Sequence, residues 1–202
     1  MKLTGRQQDI IETSVRLIAE RGIQQLTIKN IAAELKISEP AIYRHFVSKF
    51  AILNAVLDSF ENIAQSVLDE LPVDDMDPLD GIEVFILDRL ERMAANPPLA
   101  KVMFSEELFQ DDQRLADKVL AIMHAHKHRI EQFILRGRES GRIRCDIEPV
   151  LLFRLIFGPI RLLIKQWALS GYRFNLCAEG MKQWRVFREL IEVAGKSPGN
   201  IE

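Results

Sequence analysis

Cysteine is scarce in this chain of 202 residues: Cys145 and Cys177 stand thirty-two positions apart without CxxC or finger spacing. That spacing supports neither a disulfide scaffold nor a cysteine-based zinc site, and it fits a reducing cytoplasm. Charge of one sign is lacking too. The 27 Lys and Arg face 29 Asp and Glu, a formal net charge of −2, so no overall basic field draws the whole molecule to nucleic acid or an anionic membrane. Nor is there a membrane-length apolar run. The greasiest stretch, 150–164, is interrupted by Arg154, Gly158, Pro159 and Arg161 and falls short of the roughly 20 residues a span requires. The opening MKLTGRQQDIIE has no apolar signal-peptide segment, so export is not expected. GxSxG, HExxH, a Gly-rich phosphate loop and a paired-carboxylate motif are all missing. The expectation is therefore a non-enzyme that needs no cofactor.

What is present is ordinary globular material, 48% hydrophobic and 28% charged, long enough for one or two small cores. Its charge is uneven. Residues 1–50 carry eight basic and five acidic side chains, whereas the remaining 152 carry 19 and 24. A slightly basic head thus precedes an acidic body, a cue for local nucleic-acid contact.

The apolar spacing is helical throughout and no alternating strand pattern occurs, so the fold class is all-α. Ile10, Ile11, Val15, Leu17 and Ile18 place a first helix at about 5–21, ended by Gly22. Thr27 can cap a second helix through Leu35, and Ser38 can cap a third in which Pro40 fits the first turn. Two short helices around Lys36 and Ile37 suggest a helix-turn-helix. A long amphipathic helix follows at 48–71, then PVDDMDPLD (72–80), an expected solvated loop. Further helices are expected at 79–95, stopped by Asn96-Pro97-Pro98, and at 99–109, 112–139, 147–169 and 175–194, with a frayed KSPGNIE tail.

Thr27 to Lys49, TIKNIAAELKISEPAIYRHFVSK, is the informative segment. Thr27, the Ile31-Ala32 pair, the Ile37-Ser38 turn and Tyr43-Arg44-His45-Phe46 with Lys49 resemble the head of the tetracycline-repressor (TetR) family over residues 7–57. The phrase GRIRCDIEPVLLFRLIFGPIRLLIKQWALSG resembles the entry to that family's dimerisation region. The resemblance implies a helix-turn-helix DNA-binding domain at 1–47 and a helical effector-binding and dimerisation domain at 48–202. It implies a bacterial, cytoplasmic homodimer that binds a palindromic double-stranded DNA operator and responds to a small-molecule effector, most simply as a repressor. By the family's pattern Tyr43, His45, Lys49, Thr27 and Lys29 hold phosphates.

The residues themselves agree. A helix starting near Ser38 presents Glu39, Pro40 and Ala41 at the tip that a recognition helix pushes against base edges. Arg44 matches the paired acceptors of guanine. Glu39 either accepts from cytosine N4 or disfavours other operators by its charge, or it simply favours a helix N-terminus. Ile31, Leu35, Ile42 and Phe46 read as core.

In the body, Arg154, Arg161 and Lys165 fall within about 40° on one face of an apolar helix. They form either an anchor for an anionic ligand or an edge stripe meeting neighbouring acids. His126 shares a face with Leu115, Val119, Ile122, Ile130 and Phe133 and reads as a hydrogen-bonded core group or a polar contact in a ligand cavity. His124, His128 and Glu131 could hold a divalent ion, but a solvated face is the default and no metal site is expected. Phe133 and Phe157 join His126, Arg154 and Arg161 as candidate ligand contacts among the body's many Phe and Met residues. Two functions remain in view. One is a repressor released by a lipophilic, acyl or anionic effector. The other is a DNA-bound structural or division-regulating protein whose body binds a protein partner.

Overall fold

A computed structural model describes residues 3–70, 76–103 and 112–193. The chain packs as two compact units, one of Met1–Gln65 with Asn96–Met123 and the other of Ser66–Ala95 with His124–Glu202. Among the described residues the regular structure is helical, apart from one isolated bridge between Ile143 and Glu192. The all-α reading stands.

In the first unit, α1 (Gly5–Arg21) opens with a reciprocal cap in which Thr4 Oγ1 accepts from the Gln7 amide and the Gln7 side chain accepts from the Thr4 amide. It buries Ile10, Ile11, Val15, Leu17 and Ile18 and ends at Gly22, whose φ of 83° suits a residue without Cβ. Next, α2 (Ile28–Leu35) starts where Thr27 Oγ1 accepts from Asn30 N at 3.1 Å. The chain then turns through Lys36 in the left-handed region, φ 54°, into α3 (Glu39–Tyr43).

Ser38 occupies the cap position of α3 but makes no side-chain cap hydrogen bond, against the expectation from sequence. Pro40 has no amide to offer there, and the Ala41 amide goes to the Ser38 carbonyl at 2.9 Å instead. Ile31 and Ile42 are fully buried and Phe46 nearly so, while Leu35 is only half-buried.

From there α4 (Lys49–Glu70) begins with Ser48 Oγ accepting from Ala51 N and buries Ile52, Leu53, Val56 and Leu57. Asn96-Pro97-Pro98 does more than stop a helix. Prolines need no partner in a first turn, and α6 starts on them (Pro97–Met103). The later part of the expected 99–109 helix, with Phe104 and Phe109, lies outside the described residues. Lys101 Nζ reaches the Ala19 carbonyl near the end of α1 at 3.1 Å.

The second unit is built on α5 (Pro78–Ala95), α8 (Pro149–Leu169) and α9 (Leu176–Ile191). The end of PVDDMDPLD is not the solvated loop expected of it. Pro78 and Leu79 are buried in the first turn of α5, with Asp77 Oδ1 accepting from Leu79 N at 2.9 Å. Residues 72–75 lie outside the described part, as does KSPGNIE. Close packing of α9 on α5 depends on Gly180, where an added Cβ would sit 2.3 Å from Leu90 Cδ1. Beside it Trp184 is fully buried, and its indole N–H donates to Glu83 Oε2 at 2.7 Å. On the other side α9 packs against α8, which runs unbroken through Pro159. Helix α7 (Gln113–Glu139) gives its first turns to the first unit and the rest to the second.

Candidate nucleic-acid interface and effector site

The head separates its cations into two groups. Arg6 pairs with Asp9 at 3.2 Å, and Arg16 and Arg21 share Glu34 at 3.1 and 2.7 Å, which pins α1 to α2 and holds the Glu34 carboxyl below its usual range. Lys29, Lys36, Arg44 and Lys49 are exposed and, among the described residues, form no ion pair. All four lie on the helix-turn-helix or at the start of α4. An unengaged guanidinium or ammonium keeps its full capacity for phosphate or base acceptors.

Around these cations, Thr27, Ser38, Glu39 and Pro40 are exposed, and Ala41 and His45 are half-buried. Tyr43 is 50% exposed and Val47, at the turn into α4, is 82% exposed. Glu39 occupies the first turn of α3, a position compatible with each of its readings. Thr27 already accepts from Asn30, so its side chain is both cap and candidate contact. The short α3, anchored from below by Ile42, leaves its N-terminal tip and its Arg44 end clear of the core.

The body places its cations differently. Arg154, Arg161 and Lys165 are exposed, so they lie on the outer side of α8. The enclosed cation is Arg89 on α5, whose side chain is 14% exposed. Its guanidinium lies 5.2 Å from the Phe85 ring centroid and 2.8 Å from Asp88, which also takes Arg92 at 2.7 Å. The Phe85 ring meets His126 edge-on at 5.9 Å and Phe157 at 5.7 Å, and Phe157 stacks on Phe153 at 4.9 Å. Burial, aided by the neighbouring Arg89 charge, pushes His126 down to about 4, so the ring is neutral at physiological pH. Phe133 is fully buried against Gly81, where a Cβ would meet its ring at 2.2 Å. Phe133 is therefore a packing residue of this unit. Sequence reasoning passed over Arg89, although one signal was available: Phe85, Arg89 and Met93 follow at i, i+4 and i+8, placing an arginine in an apolar stripe.

His124 and His128 are exposed, and Glu131 pairs with Lys127 at 3.4 Å. Among the described residues no group of three His, Cys, Asp or Glu side chains is gathered to hold a metal, and no helix is long and apolar enough to cross a membrane.

Among the described residues the chain is helical and presents a short helix after a tight turn, flanked by cations that form no ion pair there, which is the geometry of a helix-turn-helix DNA-binding domain. Known proteins agree. Residues 10–56 match the family of bacterial regulatory proteins, tetR family, and residues 58–191 match the YsiA-like protein, C-terminal region. The chain is 22% identical to the nucleoid occlusion factor SlmA of Vibrio campbellii (strain ATCC BAA-1116), over 95% of this chain and 98% of that one. Its fold is similar to that of the fatty acid degradation regulator FadR from Bacillus halodurans (TM-score 0.78, 20% identity, 93% and 97% of the two chains). It is similar also to FadR from Bacillus subtilis in complex with stearoyl-CoA (TM-score 0.74, 22% identity, 89% and 96%). The chain belongs to the tetR family of bacterial regulatory proteins: it is a transcriptional regulator with a helix-turn-helix DNA-binding domain.

Proposed function

We propose that this protein is a cytoplasmic repressor that acts by binding alone, holding a palindromic operator through two copies of the 1–47 head and releasing it when an acyl compound enters the 48–202 body. The observation that carries the DNA part is the set of cations Lys29, Arg44 and Lys49 around α3 that form no ion pair among the described residues, beside a first helix whose Arg6 pairs with Asp9 and whose Arg16 and Arg21 pair with Glu34. In this reading Thr27, Lys29, Tyr43, His45 and Lys49 meet phosphates, and Ser38, Glu39, Pro40, Ala41 and Arg44 face base edges. Two heads are required because one short helix makes few contacts, and a dimer reads half-sites about one turn of DNA apart. The exposed apolar residues Leu155, Leu162 and Leu169 of α8 and Val186 and Leu190 of α9 supply the surface on which the second copy packs.

The effector class rests on the stearoyl-CoA bound by the similar FadR of Bacillus subtilis and on the cluster of Phe85, His126, Phe153 and Phe157 in the body. Helix α7 offers a route of response. It carries His126 and, about two turns earlier, Lys118, whose ammonium is held by Asn54 Oδ1 at 3.0 Å and by Asp58 on α4. A shift of α7 is thereby passed to the helix whose first residue is Lys49.

Selection from random duplexes tests the DNA reading. An inverted repeat should be recovered, bound with an affinity that falls steeply with salt as counterions are released. Full-affinity binding of a single half-site by a monomer would contradict it. The full-length likeness to SlmA favours one second reading, a DNA-bound division regulator whose body binds a protein, which predicts many chromosomal sites and no effector-induced release.

A further inference from the structure

The outer side of α8 carries apolar side chains that the protomer leaves uncovered. Leu151, Leu155, Gly158, Leu162, Lys165 and Leu169 follow one another at alternating steps of four and three residues, the spacing of a seam along one helix, and the four leucines are 43–79% exposed. Beside this seam α8 and α9 pack together and leave a groove of about 360 Å³ whose lining includes Pro159, Leu162, Gln166 and Val186.

Two features of this face have no explanation within one protomer. Gly158 stands in the interior of α8, where glycine weakens a helix. A Cβ added there would meet nothing within 4 Å, in contrast to Gly81 and Gly180, which make room for Phe133 and Leu90. Gln183 lines the groove and buries its Oε1 without a hydrogen-bond partner, a cost that a donor brought from outside relieves. The groove also carries one charge of each sign, Glu179 and Lys182, 2.7 Å apart. A second copy turned about a two-fold axis onto this face sets opposite signs against each other, whereas a partner charged with one sign is attracted at one of these residues and repelled at the other.

We propose that a helix of a second copy makes its closest approach to α8 at Gly158, which lacks a side chain for that reason, and that the same copy brings the donor to Gln183; the proposal rests on the dimer reading above. Leu155 and Leu162 flank Gly158 on the seam and seat the crossing helix. Symmetry repeats the contact, so each substitution acts on it twice.

The test is sedimentation equilibrium of the full chain without DNA, for the unmodified protein and for Gly158→Gln, Gly158→Ala, Leu162→Gln and Gln183→Leu, with far-UV circular dichroism to show that each variant is helical. Expected is a dimer in the unmodified protein, with a dissociation constant raised by more than about tenfold in Gly158→Gln and Leu162→Gln. A smaller rise is expected in Gly158→Ala, although alanine is the better helix former, and a several-fold rise in Gln183→Leu. Gly158→Ala keeps the test open if Gly158→Gln fails to fold. A dimer unchanged or tighter in the Gly158 variants overturns the crossing, even where Leu162→Gln still weakens it. The same result in Gln183→Leu overturns the donor at that residue. A dimer that survives all four substitutions assigns this face to another partner and overturns the proposal while leaving the dimer reading in place. A monomeric unmodified protein overturns that reading and the proposal with it.

Discussion

The recognition segment 27–49 and the helices of the second unit treat charge in opposite ways. In the segment, Lys29, Lys36, Arg44 and Lys49 have no ion pair among the described residues, whereas in the second unit Arg142 pairs with Asp77 and Glu192, Arg144 with Asp146, and Arg188 with Asp80, Glu83 and Glu192. Burial differs in parallel. The segment rests on a few apolar side chains such as Ile31 and Ile42, while the second unit encloses Trp184, Phe85 and Phe133 completely or nearly so. A surface that must meet a polyanion leaves its cations available; the second unit ties Arg142, Arg144 and Arg188 into ion pairs that hold its helices together. Substitutions should therefore cost binding in one region and folding in the other.

The largest effect is expected in the body. Trp184→Ala removes a fully buried indole and its bond to Glu83, and should lower unfolding free energy by about 3–5 kcal/mol. Denaturant titration would show it, and a loss under about 1 kcal/mol would contradict the packing described here.

The next effect follows from His126, whose folded value of about 4 lies below the ordinary 6.5. Between those values the unfolded chain binds the proton more readily than the folded one. Stability is therefore complete above about pH 6.5 and declines as pH falls towards 4, by up to about 3 kcal/mol. His126→Gln should flatten that arm of a melting-temperature profile. An arm unchanged by the substitution would assign it to another group.

Substitutions in the segment should invert the pattern. Arg44→Ala is expected to leave folding within about 0.5 kcal/mol and to relax choice at one operator base pair by about 1–3 kcal/mol. Lys49→Ala should weaken every operator variant about equally. Equal losses across all variants for Arg44→Ala as well would make Arg44 a phosphate contact. Smallest is Thr27→Ala, where the cap on α2 is lost and unfolding free energy should fall by about 1 kcal/mol; no change would assign Thr27 to DNA contact alone.

Much of this contrast is legible in the chain itself, and the exceptions have physical reasons. Local signals worked where the interaction is local: Gly22 ends α1, Thr27 caps α2, and the bounds of α1, α2, α4, α7 and α8 are met within one or two residues. Ser38 failed as a cap because Pro40 changes which amides are available. Helix periodicity correctly grouped Arg154, Arg161 and Lys165 on one face, but which face points outward is set by the neighbours of α8 and not by α8. Trp184 and Glu83 are 101 positions apart, and no spacing rule links them. Arg89 was passed over for the converse reason: an arginine is ordinarily assigned to the surface, and its enclosure is visible in the fold, where its side chain is 14% exposed beside Phe85 and Asp88.

The central claim is that an acyl compound bound in the body frees the head from DNA. Its most direct test is the fluorescence anisotropy of a labelled inverted repeat, held by the dimer at fixed salt, as lauroyl-CoA or laurate is added. The account predicts a saturable fall to the value of free DNA, with half-effect near the concentration at which the same compound binds the protein. An anisotropy that stays at the bound value while calorimetry shows the body filled would contradict it.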